Sequence, residues 1–275
     1  NMVYADEKNN IFYLSHGMLP DRKHLEYKWA GIVPGNTSKT LWTELVPLDS
    51  MPHNINPECG YVFNTNNNVY HATCLENSKS CNLPDYVNER PGDNNRAVTL
   101  KNFFNTHPTF SYKEFKKIKY ETRFPENSQF IKSLNPLWSL DKTKYPELTE
   151  AIEMLQIWDR NTDVNSVPTT LFGSFIKTIW DDRHYGDYEF ITGVTPLTED
   201  QTVDYLKRAQ AFMLKNFGTI RVPWGEVHKL RRGDKSLSIE SFADLLSPSY
   251  PKANIINGKL EFNPEHGDTY CMFVQ

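Results

Sequence analysis

The sequence predicts an α+β chain in which strands flank a helical stretch, and three observations lead there. Residues 1–95 alternate short apolar runs with turn residues, residues 96–217 repeat apolar residues at helical spacing, and residues 218–275 return to strand-like patterns. That order is what a helical insertion between strands of one sheet system would leave. A length of 275 residues suffices for one large domain or two ordinary ones.

In residues 1–95, the runs at 3–6 and 11–16 flank the polar loop Glu7-Lys8-Asn9-Asn10, which suits a hairpin. A loop-rich stretch follows, punctuated by Pro20, Pro34, Pro47, Pro52 and Pro57. Residues 45–48 and 61–63 are short apolar runs, and the second reads as a strand. Residues 64–68 are almost all Asn; directly after a strand pattern they predict an ordered turn, because Asn tolerates left-handed backbone and bonds its own main chain.

In residues 96–217, Ser111 and Glu114 fit a capping box that opens a helix with Phe115 and Ile118 on one face. Leu148, Ile152, Leu155 and Trp158 recur at helical spacing, as do Leu171, Phe175 and Ile179, with Phe172 and Ile176 widening the stripe. The clearest helix spans 198–217. Thr198 and Gln201 form its capping box, Val203, Leu206, Met213 and Phe217 its apolar face, and Gly218 its stop. These stripes are core rather than a cofactor box. Beyond them, 220–228 reads as a strand, followed by a polar loop and a terminal strand at 269–275. The chain opens on one strand-like pattern at Asn1 and stops inside another. A piece of a longer polypeptide is the expectation, with a mature chain whose terminal strands lie inside a sheet as the alternative.

Six Trp, 14 Tyr and 16 Phe argue against disorder. The 34 acidic and 30 basic residues leave a net charge of −4, with no basic surplus to suggest nucleic acid as the main partner. No run approaches the roughly 18 apolar residues of a membrane span.

Chemical motifs are sparse. The eight His show no HExxH or His–Cys spacing, so no metal is assigned. There is no GxGxxG or GxxxxGK phosphate loop and no GxSxG elbow. Cys74 and Cys81 either close a short disulfide loop or are free thiols. The adjacent Asp181-Asp182-Arg183-His184 reads as a solvated run of charge after a helix. Glu226 and His228 would share one side of a strand, as a structural hydrogen-bonded pair before an acid–base one. Ser, His and Asp are plentiful, yet nothing in their spacing orders them into a triad.

The segments Asn1-Met2-Val3-Tyr4-Ala5-Asp6, Asn10-Ile11-Phe12-Tyr13 and Gly17-Met18-Leu19-Pro20-Asp21-Arg22 together resemble the penicillin acylase family of N-terminal-nucleophile hydrolases. That family shows Asn-x-x-Tyr-Ala-Asp, an Ile-x-Tyr strand, then Gly-x-x-Pro-x-Arg. The likeness continues through Trp29-Ala30-Gly31-Ile32-Val33-Pro34, through Asn56-Pro57-Glu58-Cys59-Gly60 to Asn66 and Asn67, and through Leu155 to Asp159 with Ser166, Leu171 and Phe172 after it. Trp224-Gly225-Glu226-Val227-His228 and Gly267-Asp268-Thr269-Tyr270 resemble late β-chain segments of the acyl-homoserine-lactone acylase and aculeacin acylase branch.

The resemblance implies part of a four-layer αββα sandwich, with 96–217 as a helical insertion. It implies a self-cleaving precursor whose β-chain begins with a nucleophile, Ser in most members, that uses its own α-amino group as base. By motif position, Asn1 is an oxyanion donor and Arg22 the residue that positions groups near the nucleophile. The nucleophile itself is expected outside this chain, a couple of hundred residues before Asn1. The chain would then be a β-chain fragment, partnered by the rest of that β-chain and by the α-chain, acting on a small-molecule amide without cofactor or metal. The family is commonly exported, so a periplasmic or extracellular location is implied. The alternative is a non-catalytic binding or structural module related to acylases.

Overall fold

In a computed structural model the described residues are 1–15, 17–24, 26–29, 31–74, 92–183, 196–249 and 251–264. They fall into two compact units, Asn1–Asp93 and Asn94–Gln275.

The first unit is built on a three-stranded antiparallel sheet, β1 (Met2–Ala5), β2 (Ile11–Leu14) and β3 (His53–Ile55), in that order. β1 and β2 form the expected hairpin. The Asp6 carboxylate closes it by accepting the Lys8 and Asn10 amides at 2.9 and 2.8 Å, while Asn9 takes the left-handed backbone at φ 64°. Those bonds, the Asn10 side chain first, hold the Asp6 carboxyl below the usual carboxylate range. Tyr13 pairs across the sheet with Asn54, and both are buried. β3 lacks the alternation that would have marked it, being only three residues long in the short stretch between Pro52 and Pro57. Residues 61–63 are not a strand. Phe63 instead donates to the Ala72 carbonyl at 2.9 Å, across the neck of a loop.

The second unit is mostly helical: α1 (Asn95–Thr106), α2 (Tyr112–Ile118), α3 (Gln129–Ser133), α4 (Asn135–Ser139), α5 (Thr149–Gln156), α6 (Val167–Arg183), α7 (Glu199–Phe217) and the short α8 (Trp224–Val227). Both predicted capping boxes form, Ser111 with Glu114 and Thr198 with Gln201, and Gly218 ends α7 at φ 71°. Leu148, Ile152, Leu155, Leu171, Phe172, Phe175, Ile176 and Ile179 are all buried, as the stripes required. Phe124, Trp158, Phe172 and Phe242 meet edge-on or tilted at centroid distances of 4.8–6.4 Å, the geometry aromatic quadrupoles favour. The apolar face predicted for α2 is not buried: Phe115 is 44% exposed. Two antiparallel hairpins complete the unit, β4 (Lys229–Arg232) with β5 (Lys235–Ser238), and β6 (Pro251–Ile256) with β7 (Lys259–Pro264). Asp244 ties the start of α1 to the loop before β6, accepting from the Asn95 amide at 2.8 Å and Arg96 Nε at 2.9 Å.

The strand expected at 220–228 is corrected. Residues 224–227 are α8, because the Trp224 and Gly225 amides donate to the Ser166 and Val164 carbonyls at 3.0 and 2.7 Å rather than to a sheet neighbour. A Cβ on Gly225 would lie 2.6 Å from the Val164 Cβ, so only glycine permits this approach. The strand expected at 269–275 lies outside the described residues.

Candidate active site

Asn1 sits at the head of β1, and its side-chain amide donates to Asn64 Oδ1 at 3.0 Å. The geometry settles which atom is which. Asn64 Oδ1 also accepts from the Asn66 backbone amide at 3.1 Å, and a backbone N–H can only donate. The atom facing Asn1 is therefore oxygen, and Asn1 presents nitrogen to it. One Asn1 N–H is thus engaged, and the second is available for another acceptor.

Asn64 belongs to the Asn-rich segment, which is an ordered turn, as its composition predicts. Asn66 is left-handed at φ 58°. Asn67 Oδ1 accepts from the Thr65 amide and hydroxyl at 2.9 and 3.1 Å, and Asn68 Oδ1 caps a short turn at Val69–His71 through the Tyr70 amide at 2.9 Å. The loop carrying the turn is closed by a disulfide between Cys59 and Cys74. Both readings offered for Cys74 are corrected: it is neither paired with Cys81 nor a free thiol, and Cys81 lies outside the described residues. Nothing in the spacing singled out Cys59, since only the fold returns the chain to it. The His71 imidazole contacts the Asp93 carboxylate at 2.9 Å, a pairing across 22 residues that sequence reading also missed. Closing the Cys59–Cys74 loop, whose ends are 15 residues apart, restricts the unfolded chain by about 3 kcal/mol. Cys59→Ser, or reductant added to the parent, should lower the melting temperature; an unchanged melt would show that the bridge adds nothing to stability.

Arg22 packs against aromatic rings. Its guanidinium lies between two indoles, 5.6 Å from the centroid of Trp29 and 5.5 Å from that of Trp42. Pairing of 19–21 with 44–46 brings the Trp42 segment beside it, through Val46 N to Leu19 O at 2.8 Å and Asp21 N to Glu44 O at 2.9 Å. The Trp29 indole is oriented by its own donation to the His24 carbonyl at 2.9 Å. Asn1 and Arg22 thus belong to the same unit, each held by partners the motif alone did not reveal.

The remaining candidates are structural. Glu226 is exposed while His228 is fully buried, so they are not a pair. His228 Nδ1 faces the Ile239 carbonyl at 3.0 Å and must carry the proton, leaving Nε2 to accept from Ser249 Oγ at 2.8 Å. Burial holds the ring neutral and pushes its pKa down to about 3. Asp181 pairs with Lys177 at 2.5 Å and Asp182 with Arg208 at 2.6 and 2.9 Å, as a solvated charged run would; His184 lies outside the described residues. A cleft of about 460 Å³ in the second unit is bordered by Glu147, Glu150 and Glu153, each bound to a base, respectively Lys207, Arg221 and Lys142. Among the described residues no His, Cys, Asp or Glu cluster could hold a metal, and no helix is long and apolar enough to cross a membrane.

The fold is similar to that of a thermostable penicillin G acylase from Alcaligenes faecalis, solved in an orthorhombic form. The TM-score is 0.55 at 16% identity, over 78% of this chain and 46% of that one. The chain therefore spans just under half the length of that solved chain. The penicillin amidase family model matches residues 1–275. With an α+β fold of this kind and a match over its full length, the chain belongs to the penicillin amidase family.

Proposed function

We propose that these 275 residues are part of an amidohydrolase that cleaves a linear amide through an acyl-enzyme, with the nucleophile supplied by a segment outside them. In this reading residues 1–95 and 218–275 contribute to the sandwich and 96–217 are a helical insertion. The nucleophile passes its proton to its own α-amino group and attacks the amide carbonyl. The C–N bond breaks, the amine leaves with that proton, and water then releases the acid and restores the nucleophile. Asn1 donates its second N–H to the oxyanion formed in each attack, and Arg22 positions groups beside the nucleophile. The observation that carries the reading is the fixed Asn1 amide at the head of β1, in a chain of this family.

An N-acyl-homoserine lactone or a lipopeptide is favoured over a penicillin-like substrate, on the likeness of residues 224–228 and 267–270 to the corresponding acylase branch; the second segment lies outside the described residues. The Cys59–Cys74 disulfide supports a periplasmic or extracellular location, where such bonds persist. Partners are the remainder of the β-chain and the α-chain of the same precursor. The test is amine release from N-acyl-homoserine lactones, an acylated peptide and penicillin G by the full-length protein and by the 275-residue chain alone. Turnover by the full-length protein only is expected. Turnover by the short chain would place the nucleophile inside it, and none by either would remove the hydrolase reading.

A further inference from the structure

We infer that Asn64 is a positioning residue for the reaction: the loop closed by Cys59 and Cys74 exists to hold the Asn1 amide in the rotamer that aims its second N–H at the oxyanion. The inference rests on the reading of Asn1 given above and adds the group that makes Asn1 effective.

The physical case begins with what Asn1 lacks. It is exposed, so no packing fixes its side-chain torsions, and an amide free to rotate spends part of its time with its oxygen where its nitrogen is needed. An oxygen facing an oxyanion repels it, so preorganised orientation is what gives such a donor its value. Asn64 removes the ambiguity, because its Oδ1 is fixed as an acceptor by the Asn66 amide and accepts only the nitrogen end of Asn1.

Asn64 is itself exposed, and is rigid only through the loop that bears it. That loop is tied at several levels. The disulfide joins its ends, Thr73 Oγ1 donates to the Tyr61 carbonyl at 3.0 Å, and Phe63 N reaches Ala72 O at 2.9 Å. Within it Thr65, Asn67 and Asn68 are buried, satisfied largely by one another. Such anchoring is extensive for a surface loop of this length. It serves no strand, since none forms within the loop. Among its side-chain bonds is the one that Asn64 accepts from Asn1, 63 residues away beside β1.

The test uses the full-length protein with Asn64→Ala, Asn64→Ser, Asn1→Ala and the double variant Asn1→Ala/Asn64→Ala. Ser retains a hydroxyl that can cap the Asn66 amide and hold the turn, yet is too short to reach Asn1, so it separates turn from contact. Both Asn64 variants should lower kcat by about tenfold, with KM and melting temperature close to the parent's, because the contact acts on the transition state alone. In the Asn1→Ala background, removing Asn64 should cost less than about twofold more, since no amide remains to be positioned. Parent-like kcat in Asn64→Ser, or losses that multiply in the double variant, would overturn the inference while leaving Asn1 as the donor. Parent-like kcat in Asn1→Ala would overturn the reading of Asn1, and this inference with it.

Discussion

Asn1→Ala in the full-length protein is expected to lower kcat by roughly 10²–10³-fold, the range found when one oxyanion donor is lost, or about 2.7–4 kcal/mol of transition-state stabilisation. KM should change little, because the planar amide of the substrate carries no full negative charge for the donor to meet. The fold should survive, since Asn1 is exposed and its side chain anchors no core residue. Asn1→Asp is the sharper variant. It keeps the size but replaces a donor with an acceptor, so two oxygens would oppose each other at Asn64 and a third at the reaction centre. Its rate should be no higher than that of Asn1→Ala. A rate unchanged in either variant would remove Asn1 from the site.

Lowering the pH from neutral to 5 should cost the fold about 2 kcal/mol through His228 alone. The ring is fully buried, its folded pKa is pushed down to about 3, and the ordinary unfolded value is near 6.5. Between those two values the unfolded chain binds a proton that the folded chain refuses. Stability from this group is therefore intact above about pH 6.5 and is lost progressively as pH falls toward 3. Of the other buried groups, Asp244 works the other way, since burial, against the opposing pull of Arg96, pushes its carboxyl up. Arg231 holds the Glu261 carboxyl down and so adds an acid-sensitive contribution common to parent and variant. Denaturant melts of the parent and of His228→Asn at pH 7 and pH 5 isolate the term. The Asn amide can replace Nδ1 toward the Ile239 carbonyl without titrating. The parent should lose more stability between the two pH values than the variant does. Equal losses would show that His228 is not the acid-sensitive group.

The sequence made legible whatever depended on neighbours close along the chain. The β1–β2 hairpin, the capping boxes at Ser111 and Thr198, the stop at Gly218 and the buried stripes of α5 and α6 all follow from residues a few positions apart. What failed depended on distant partners. Trp224 and Gly225 read as strand because alternation there is local, whereas the carbonyls that curl them into α8 belong to Val164 and Ser166. Phe115 looked like a core residue by period alone, and no element buries it. In the site, Asn1 and Arg22 could be singled out only by motif order. Of their holders, Trp29 lay in a motif and Asn64 in a predicted turn without any role attached, and Trp42 had no signal at all. Cys59 was overlooked as the bridge to Cys74 because a thiol's partner is a matter of folded geometry.

The clamp around Arg22 has an optical consequence. Of the six Trp, only Trp29 and Trp42 belong to the first unit, and Trp42 is 63% exposed. A cation stacked on an indole shifts and dims its emission, and an exposed indole is open to a soluble quencher. Any ligand that draws the guanidinium away alters both signals at Trp42. In a Trp29→Phe variant the quencher-accessible change in emission, over the background of the four Trp of the second unit, would then report occupancy at Trp42 in real time without a label and without turnover.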